Sequence, residues 1–171
     1  LLDRIGSRGE FSDIVWEMQG ELGTSHCYEF GGEYLEREKH RTGKLGFDYA
    51  QDPETGACEI TYIPAGDPWS KRAYSPLERA GLKKGDKILS VAGKKLSKGE
   101  YPETHLVNKV AKEVYLEVLP RDEKEIKLVK VKTIADESGL RYRDWVEKNR
   151  EYVHQKTSGR VGYIHIPDMS D

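Results

Sequence analysis

A hydroxyl and an imidazole stand side by side at Ser25 and His26, in the stretch Gln19-Gly-Glu-Leu-Gly-Thr-Ser-His26. An imidazole titrates near neutral pH, so it can take a proton from a nucleophile and later return it to a leaving group. The nucleophile itself is missing. No serine lies in a Gly-x-Ser-x-Gly elbow, and Ser75, Ser90, Ser97, Ser138 and Ser158 stand in contexts that favour caps and turns. Ser25-His26 is thus half of a hydrolytic site. The competing reading of His26 is a polar loop residue that follows a helix.

Other chemistry finds less support. His40, His105, His154 and His165 show no His-Glu-x-x-His spacing, and Cys27 and Cys58 form neither a disulfide framework nor a metal-ligand set. No metal or other cofactor is expected. Both cysteines have apolar or aromatic neighbours, so each is expected to be a small buried residue in a reducing, cytoplasmic setting. Lysine and arginine number 28 against 30 acidic residues, a net charge of −2, which offers no general attraction to nucleic acid or membrane. No apolar run approaches the roughly 20 residues that a membrane span needs.

The 171 residues are 36% apolar and 34% charged, proportions that suit one compact domain with charged helical arms. Ser7 and Glu10 have capping-box spacing, and Phe11, Ile14, Val15, Met18 and Leu22 follow at helix period up to Gly23. A charged linker is expected over Glu33 to Arg41. Further on, Leu45-Gly-Phe47 opens a strand and Asp52-Pro-Glu-Thr-Gly56 is a turn. Cys58, Ile60 and Tyr62 alternate as a half-buried strand. Ser75-Pro-Leu-Glu-Arg-Ala-Gly81 is a short helix with proline at its first position and glycine at its stop.

Lys87 to Val91 is the next strand. Leu106, Val107, Val110, Ala111 and Val114 predict a second helix from about Glu103 to Lys112. Strands follow at Val114 to Val118 and Ile126 to Thr133, with a phase slip between Leu128 and Val129 that predicts a bulge. Ser138 is expected to cap a last helix whose apolar face is Tyr142, Trp145, Val146, Tyr152 and Val153. Val161 to Ile166 reads as a buried strand. Trp69 is expected to be a packing anchor beside the Gly66-Asp-Pro68 turn. A start at Leu1-Leu2, and a last strand with nothing after it to pair with, lead us to expect a piece of a larger protein.

The middle of the chain resembles a PDZ domain of the kind attached to bacterial and archaeal peptidases. Lys44-Leu-Gly-Phe47 matches the carboxylate-binding loop, and Ser75-Pro-Leu-Glu-Arg-Ala-Gly-Leu-Lys-Lys-Gly-Asp-Lys-Ile-Leu-Ser-Val-Ala-Gly93 the helix, turn and strand that follow. The flanks are similar to the tricorn protease family. Gln19 to His26 resembles the end of its helical subdomain. Gly159-Arg-Val-Gly-Tyr-Ile-His-Ile-Pro-Asp-Met169 resembles the opening strand of its α/β catalytic core.

This resemblance implies an α+β fold: a PDZ-like, partly open β-barrel with two helices, flanked by helical arms. Its parts would be 1–35, the end of a helical catalytic subdomain; 36–135, the PDZ-like domain; and 136–171, a helix and the first core strand. It implies a serine peptidase acting on short peptides, with His26 as general base, Ser25 as accessory polar group, and the nucleophilic serine and a supporting glutamate outside these residues. Cys27 replaces the family's usual alanine after the histidine. Leu45, Gly46 and Phe47 would capture the C-terminal carboxylate of a peptide or protein, with the peptide laid beside Phe47 to Tyr49 and against the helix carrying His105. The full-length protein would be a homo-oligomer, and this stretch alone would be inactive and bind peptides weakly. The alternative is a stand-alone PDZ-type module that binds peptide C-termini, with Ser25-His26 incidental.

Overall fold

The computed structural model describes residues 2–34, 40–67 and 74–168. Trp69, Met169 and residues 35–39 of the expected linker lie outside them. The chain divides into two compact units, Leu1–Lys39 and His40–Asp171.

The first unit is built on helix α1 (Arg8–Glu21). Ser7 caps it by accepting from the Glu10 N–H at 3.2 Å, as its spacing predicts. The Glu10 carboxylate accepts from the Gly6 N–H at 2.6 Å, so the capping box is shifted by one residue. Arg8 ties the loop after α1 back onto the helix: it pairs with Glu29, donates to the Gly31 carbonyl at 3.1 Å and lies 5.0 Å from the Phe11 ring centroid. Within this unit Phe11, Ile14 and Val15 are half-buried, whereas Met18 and Leu22 stay exposed.

The second unit is an antiparallel sheet with helices packed on it. Its strands are β1 (Asp48–Gln51), β2 (Cys58–Tyr62), β3 (Lys87–Val91), β4 (Lys94–Lys95), β5 (Glu113–Leu119) and β6 (Lys127–Lys132), in the order β1-β2-β3-β5-β6 with β4 beside β3. One face of these strands carries the core: Cys58 and Ile60 of β2, Ile88 and Val91 of β3, Val114, Leu116 and Val118 of β5, and Val131 of β6 are buried. Period-two alternation sends their neighbours to solvent, as in Glu59 and Tyr115.

The expected short helix is α2 (Pro76–Arg79), capped by Ser75 and stopped at Gly81, whose φ is +79°. The turn after it is held by Asp86, a buried carboxylate that accepts from the Lys83 N–H at 2.8 Å and the Arg121 N–H at 3.0 Å.

Several expectations are corrected. Leu45 to Phe47 form a loop, and the strand starts at Asp48. The helix expected over 103–112 is only a 3₁₀ turn, Pro102–Leu106. Beyond it the Asn108 N–H goes to the Arg41 carbonyl at 2.8 Å, and Asn108 and Ala111 adopt left-handed φ of 58° and 56°. Pairing with a distant segment outweighs the local apolar period there. Leu106 is still buried, and Val107 faces out.

No bulge separates Leu128 from Val129. The β5–β6 register is continuous, and Leu128 simply points to solvent. The irregularities fall instead between Asp48 and Tyr49 and between Ile88 and Ser90. Ser90 lies buried within β3 rather than at a turn.

Helix α3 (Ser138–Thr157) begins at Ser138, so that residue is not its cap. Asp136 accepts from the Ser138 N–H at 3.2 Å and its hydroxyl at 2.8 Å. The buried residues of α3 are Leu140, Asp144 and Val146, while Tyr142, Trp145 and Tyr152 are exposed. Val161 to Ile166 is not a strand: no ladder partner is present among the described residues, and Ile164 is 85% exposed. The segment instead touches α3, with Tyr142 bonded to the His165 ring and the Asn149 amide donating to the Tyr163 hydroxyl at 3.4 Å.

Asp144 anchors α3 to the sheet. Its carboxylate accepts from the Tyr62 hydroxyl and from the Ala65 N–H at 3.2 Å, and pairs with Lys148 at 2.8 Å. Burial alone would raise this carboxyl, but the bonds from Lys148, Tyr62 and Ala65 outweigh it and hold the group below its ordinary value. The folded state therefore favours the carboxylate. That stabilisation is complete above the ordinary carboxyl value and is lost as pH falls through the lower folded one. Replacing Asp144 with Asn should cost about 1–3 kcal/mol at pH 7. It should also flatten the acid limb of a plot of urea midpoint against pH below about pH 4. An unchanged acid limb would exclude this role for Asp144.

Candidate functional site

Within the first unit, α1 ends at Gly23 in the left-handed region, and His26 is itself left-handed at φ 63°. The chain therefore turns sharply just after the helix and presents the imidazole at the surface. Its Nδ1 lies 3.1 Å from the Tyr28 hydroxyl, and the two rings meet edge to face with centroids 6.2 Å apart. Ser25 is exposed and its hydroxyl is not the partner of His26. Tyr28, two residues on, was not singled out by sequence reasoning, although an aromatic hydroxyl so near a histidine was visible. His26, Thr24, Cys27, Trp16 and Phe30 line an open cavity of about 450 Å³.

The second unit holds the other candidate. Leu45 and Phe47 are buried in the core, which fixes the backbone between them. Gly46 takes φ +71°, and an added Cβ would stand 3.0 Å from both Leu140 Cδ2 and Pro76 Cδ. Its carbonyl accepts from the Ser75 hydroxyl at 3.0 Å. Its N–H donates to Glu137 Oε1 at 2.9 Å, across 91 positions of sequence. Arg141 sits one helical turn beyond Glu137 and pairs with it at 2.8 Å. The same guanidinium reaches Asp48 at 2.9 Å and donates to the Phe47 carbonyl at 3.3 Å. Neither Glu137 nor Arg141 was legible as a site residue, because nothing local links them to Gly46.

His105 lies on the 3₁₀ turn rather than on a helix. Its side chain is largely buried and its Nε2 stands 3.2 Å from the Glu100 carboxylate. The segment just before that turn meets the far end of β1. The Gln51 amide donates to the Glu100 carbonyl at 2.7 Å and accepts from the Gly99 N–H at 3.1 Å. Burial pushes the Tyr49 hydroxyl up to about 12, and the neighbouring Glu103 carboxylate adds to the effect, so Tyr49 stays a neutral donor. Leu45, Gly46 and Phe47 thus lead into β1, and the segment before the His105 turn meets its far end. Among the described residues no group of three or more His, Cys, Asp or Glu side chains could hold a metal ion. Among the same residues no helix is long and apolar enough to cross a membrane.

The cysteines differ from each other: Cys58 is buried as expected, but Cys27 is exposed against expectation, its Sγ 2.9 Å from the Thr24 hydroxyl. Burial raises the Cys58 thiol to about 11, with Glu103 contributing, which makes it inert at neutral pH. A colorimetric thiol reagent at pH 8 should titrate one cysteine rapidly in the native protein and both in denaturant. Cys27→Ser should abolish the fast phase. Two fast equivalents would contradict the burial of Cys58.

Comparison with known proteins adds to this geometry. Residues 43–136 match the family model described as the tricorn protease PDZ domain. The chain is 46% identical over 171 residues to a tricorn protease homolog of Saccharolobus solfataricus, covering 99% of this chain and 16% of that one. It is 35% identical to the tricorn protease of Thermoplasma volcanium, with the same coverage of each. The crystal structure of the tricorn protease superposes with a TM-score of 0.84 at 31% identity, over 96% of this chain and 16% of the other. The chain therefore spans about a sixth of the length of these relatives.

Proposed function

We propose, from the premise that this chain belongs to the tricorn protease PDZ domain family, that it is part of a tricorn-like serine peptidase that hydrolyses short peptides. The observation that carries the reading is that the likeness does not stop at the PDZ boundaries. It runs through 99% of the chain, so that Thr24-Ser25-His26 and the segment after Gly159 are included. Residues 1–35 then close a helical catalytic subdomain, 36–135 form the PDZ-like domain, and 136–171 lead into the catalytic core. Free thiols and the family resemblance support a cytoplasmic, homo-oligomeric full-length protein.

In this reading His26 is the general base of an acyl transfer. Nδ1–H donates to the Tyr28 hydroxyl oxygen, which leaves Nε2 to take the proton of a serine supplied by the catalytic core and to return it to the leaving amine. Ser25 acts as a polar neighbour of the substrate rather than as the nucleophile. The Gly46 N–H and the edge of β1 form the capture site for a peptide C-terminus, the carboxylate held by backbone donors and the peptide added as a further strand.

The test uses the full-length protein. His26→Ala should lower kcat on a short peptide by roughly 10²–10⁴-fold with KM little changed, as loss of a general base does. The 171-residue chain alone should neither cleave peptides nor be labelled by a fluorophosphonate. Wild-type kcat in the His26→Ala protein would exclude the base assignment, and labelling of the isolated chain would mean that it carries a nucleophile of its own.

A further inference from the structure

We propose that the capture loop is already filled from within, by the Glu137–Arg141 pair of α3 acting as an internal stand-in for a peptide C-terminus. The inference rests on the reading of Leu45 to Phe47 as a carboxylate-capture loop. A C-terminal residue docked there offers three things: a carboxylate for the loop N–H groups, a backbone N–H for the outward carbonyl at the start of the strand, and a side chain to cover the loop. The start of α3 supplies a group of each kind. Glu137 places a carboxylate oxygen 2.9 Å from the Gly46 nitrogen. Arg141 places an N–H donor 3.3 Å from the Phe47 carbonyl. Leu140 is 2% exposed and packs against Gly46 so closely that a Cβ there would meet it at 3.0 Å.

Two further observations point the same way. Glu137 is the residue before the first turn of α3, and its side chain bonds none of the free N–H groups of that helix but reaches out to Gly46. Arg141 is held in place by both Glu137 and Asp48, which keeps its N–H on the Phe47 carbonyl. A peptide from solution must displace an ion-paired and largely buried carboxylate (the Glu137 side chain is 17% exposed) before it can reach Gly46. The loop is therefore a latch for α3, and outside peptides enter only when the first turn of that helix lifts.

The test is an NMR titration of the 171-residue chain with a hexapeptide ending in a free-carboxylate leucine, and with the same peptide amidated. Wild-type protein should bind the free acid only in the millimolar range. Glu137→Ala should bind it at least about tenfold more tightly through the Gly46 and Phe47 amides, the size of one charge-assisted hydrogen bond released from competition. The amidated peptide should not show this gain. Equal affinity of wild type and Glu137→Ala for the free acid, with the Gly46 signal shifting in both, would leave capture standing and overturn the latch. No binding by either protein would overturn capture and latch together. Should Glu137→Ala fail to fold, exchange of the Gly46 amide in the wild-type chain decides: protection without peptide supports the latch, and exchange at the rate of an open loop overturns it.

Discussion

The backbone of Gly46 is where the second unit is joined. Its N–H holds Glu137, its carbonyl holds Ser75, and its bare Cα lets Leu140 and Pro76 close on it from two sides. A loop, a short helix and a long helix therefore meet on one residue that has no side chain to offer. Any L side chain at φ +71° would be strained before it clashed, so glycine is required twice over. Leu45 and Phe47 make the arrangement rigid by burying themselves on either side. The polar groups of Gly46 are displayed only because its neighbours are anchored in the core.

The attachment of α3 follows from this junction. Leu140 and Val146 are its buried apolar residues, too few to fix a twenty-residue helix by burial alone. The remaining hold is polar and directional: Glu137 and Arg141 at its start, then Asp144 with Tyr62 and Lys148. Exposed ion pairs contribute little to stability, but a half-buried carboxylate bonded to backbone N–H groups specifies one placement. The helix is set in position by a few polar contacts, while the sheet beneath it is held by a continuous apolar core. The first unit is organised differently, around the single cation of Arg8, which gathers Glu29, Gly31 and the Phe11 ring and leaves the turn at His26 open beside its cavity.

Much of this was legible in the residues. Ser75, Pro76 and Gly81 bracket a helix by local chemistry, and the caps formed as expected. The alternation of Cys58, Ile60 and Tyr62 placed β2. The helix expected over 103–112 failed where the Asn108 N–H took the distant Arg41 carbonyl, while the N–H groups of Lys109 and Lys112 closed only short three-residue turns. The strand expected at Val161 failed for the opposite reason, since a strand exists only through a neighbour that accepts its ladder. Cys27 and Cys58 have similar local surroundings and opposite fates, because burial belongs to the fold and not to the neighbouring letters.

By itself the sequence determined the short-range features: the caps at Ser7 and Ser75, the turn at Asp52 to Gly56, the alternation of β2, and the presence of Ser25 and His26 at the end of a helix. Tertiary structure alone decided that Cys58 is buried while Cys27 is exposed, and that the loop N–H is engaged by a carboxylate 91 residues away. The physical reason is range. Capping, turn formation and period are settled within a few residues, where the chain fixes its own distances. The partner of a backbone N–H at Gly46 is settled by which surfaces the packed core brings together.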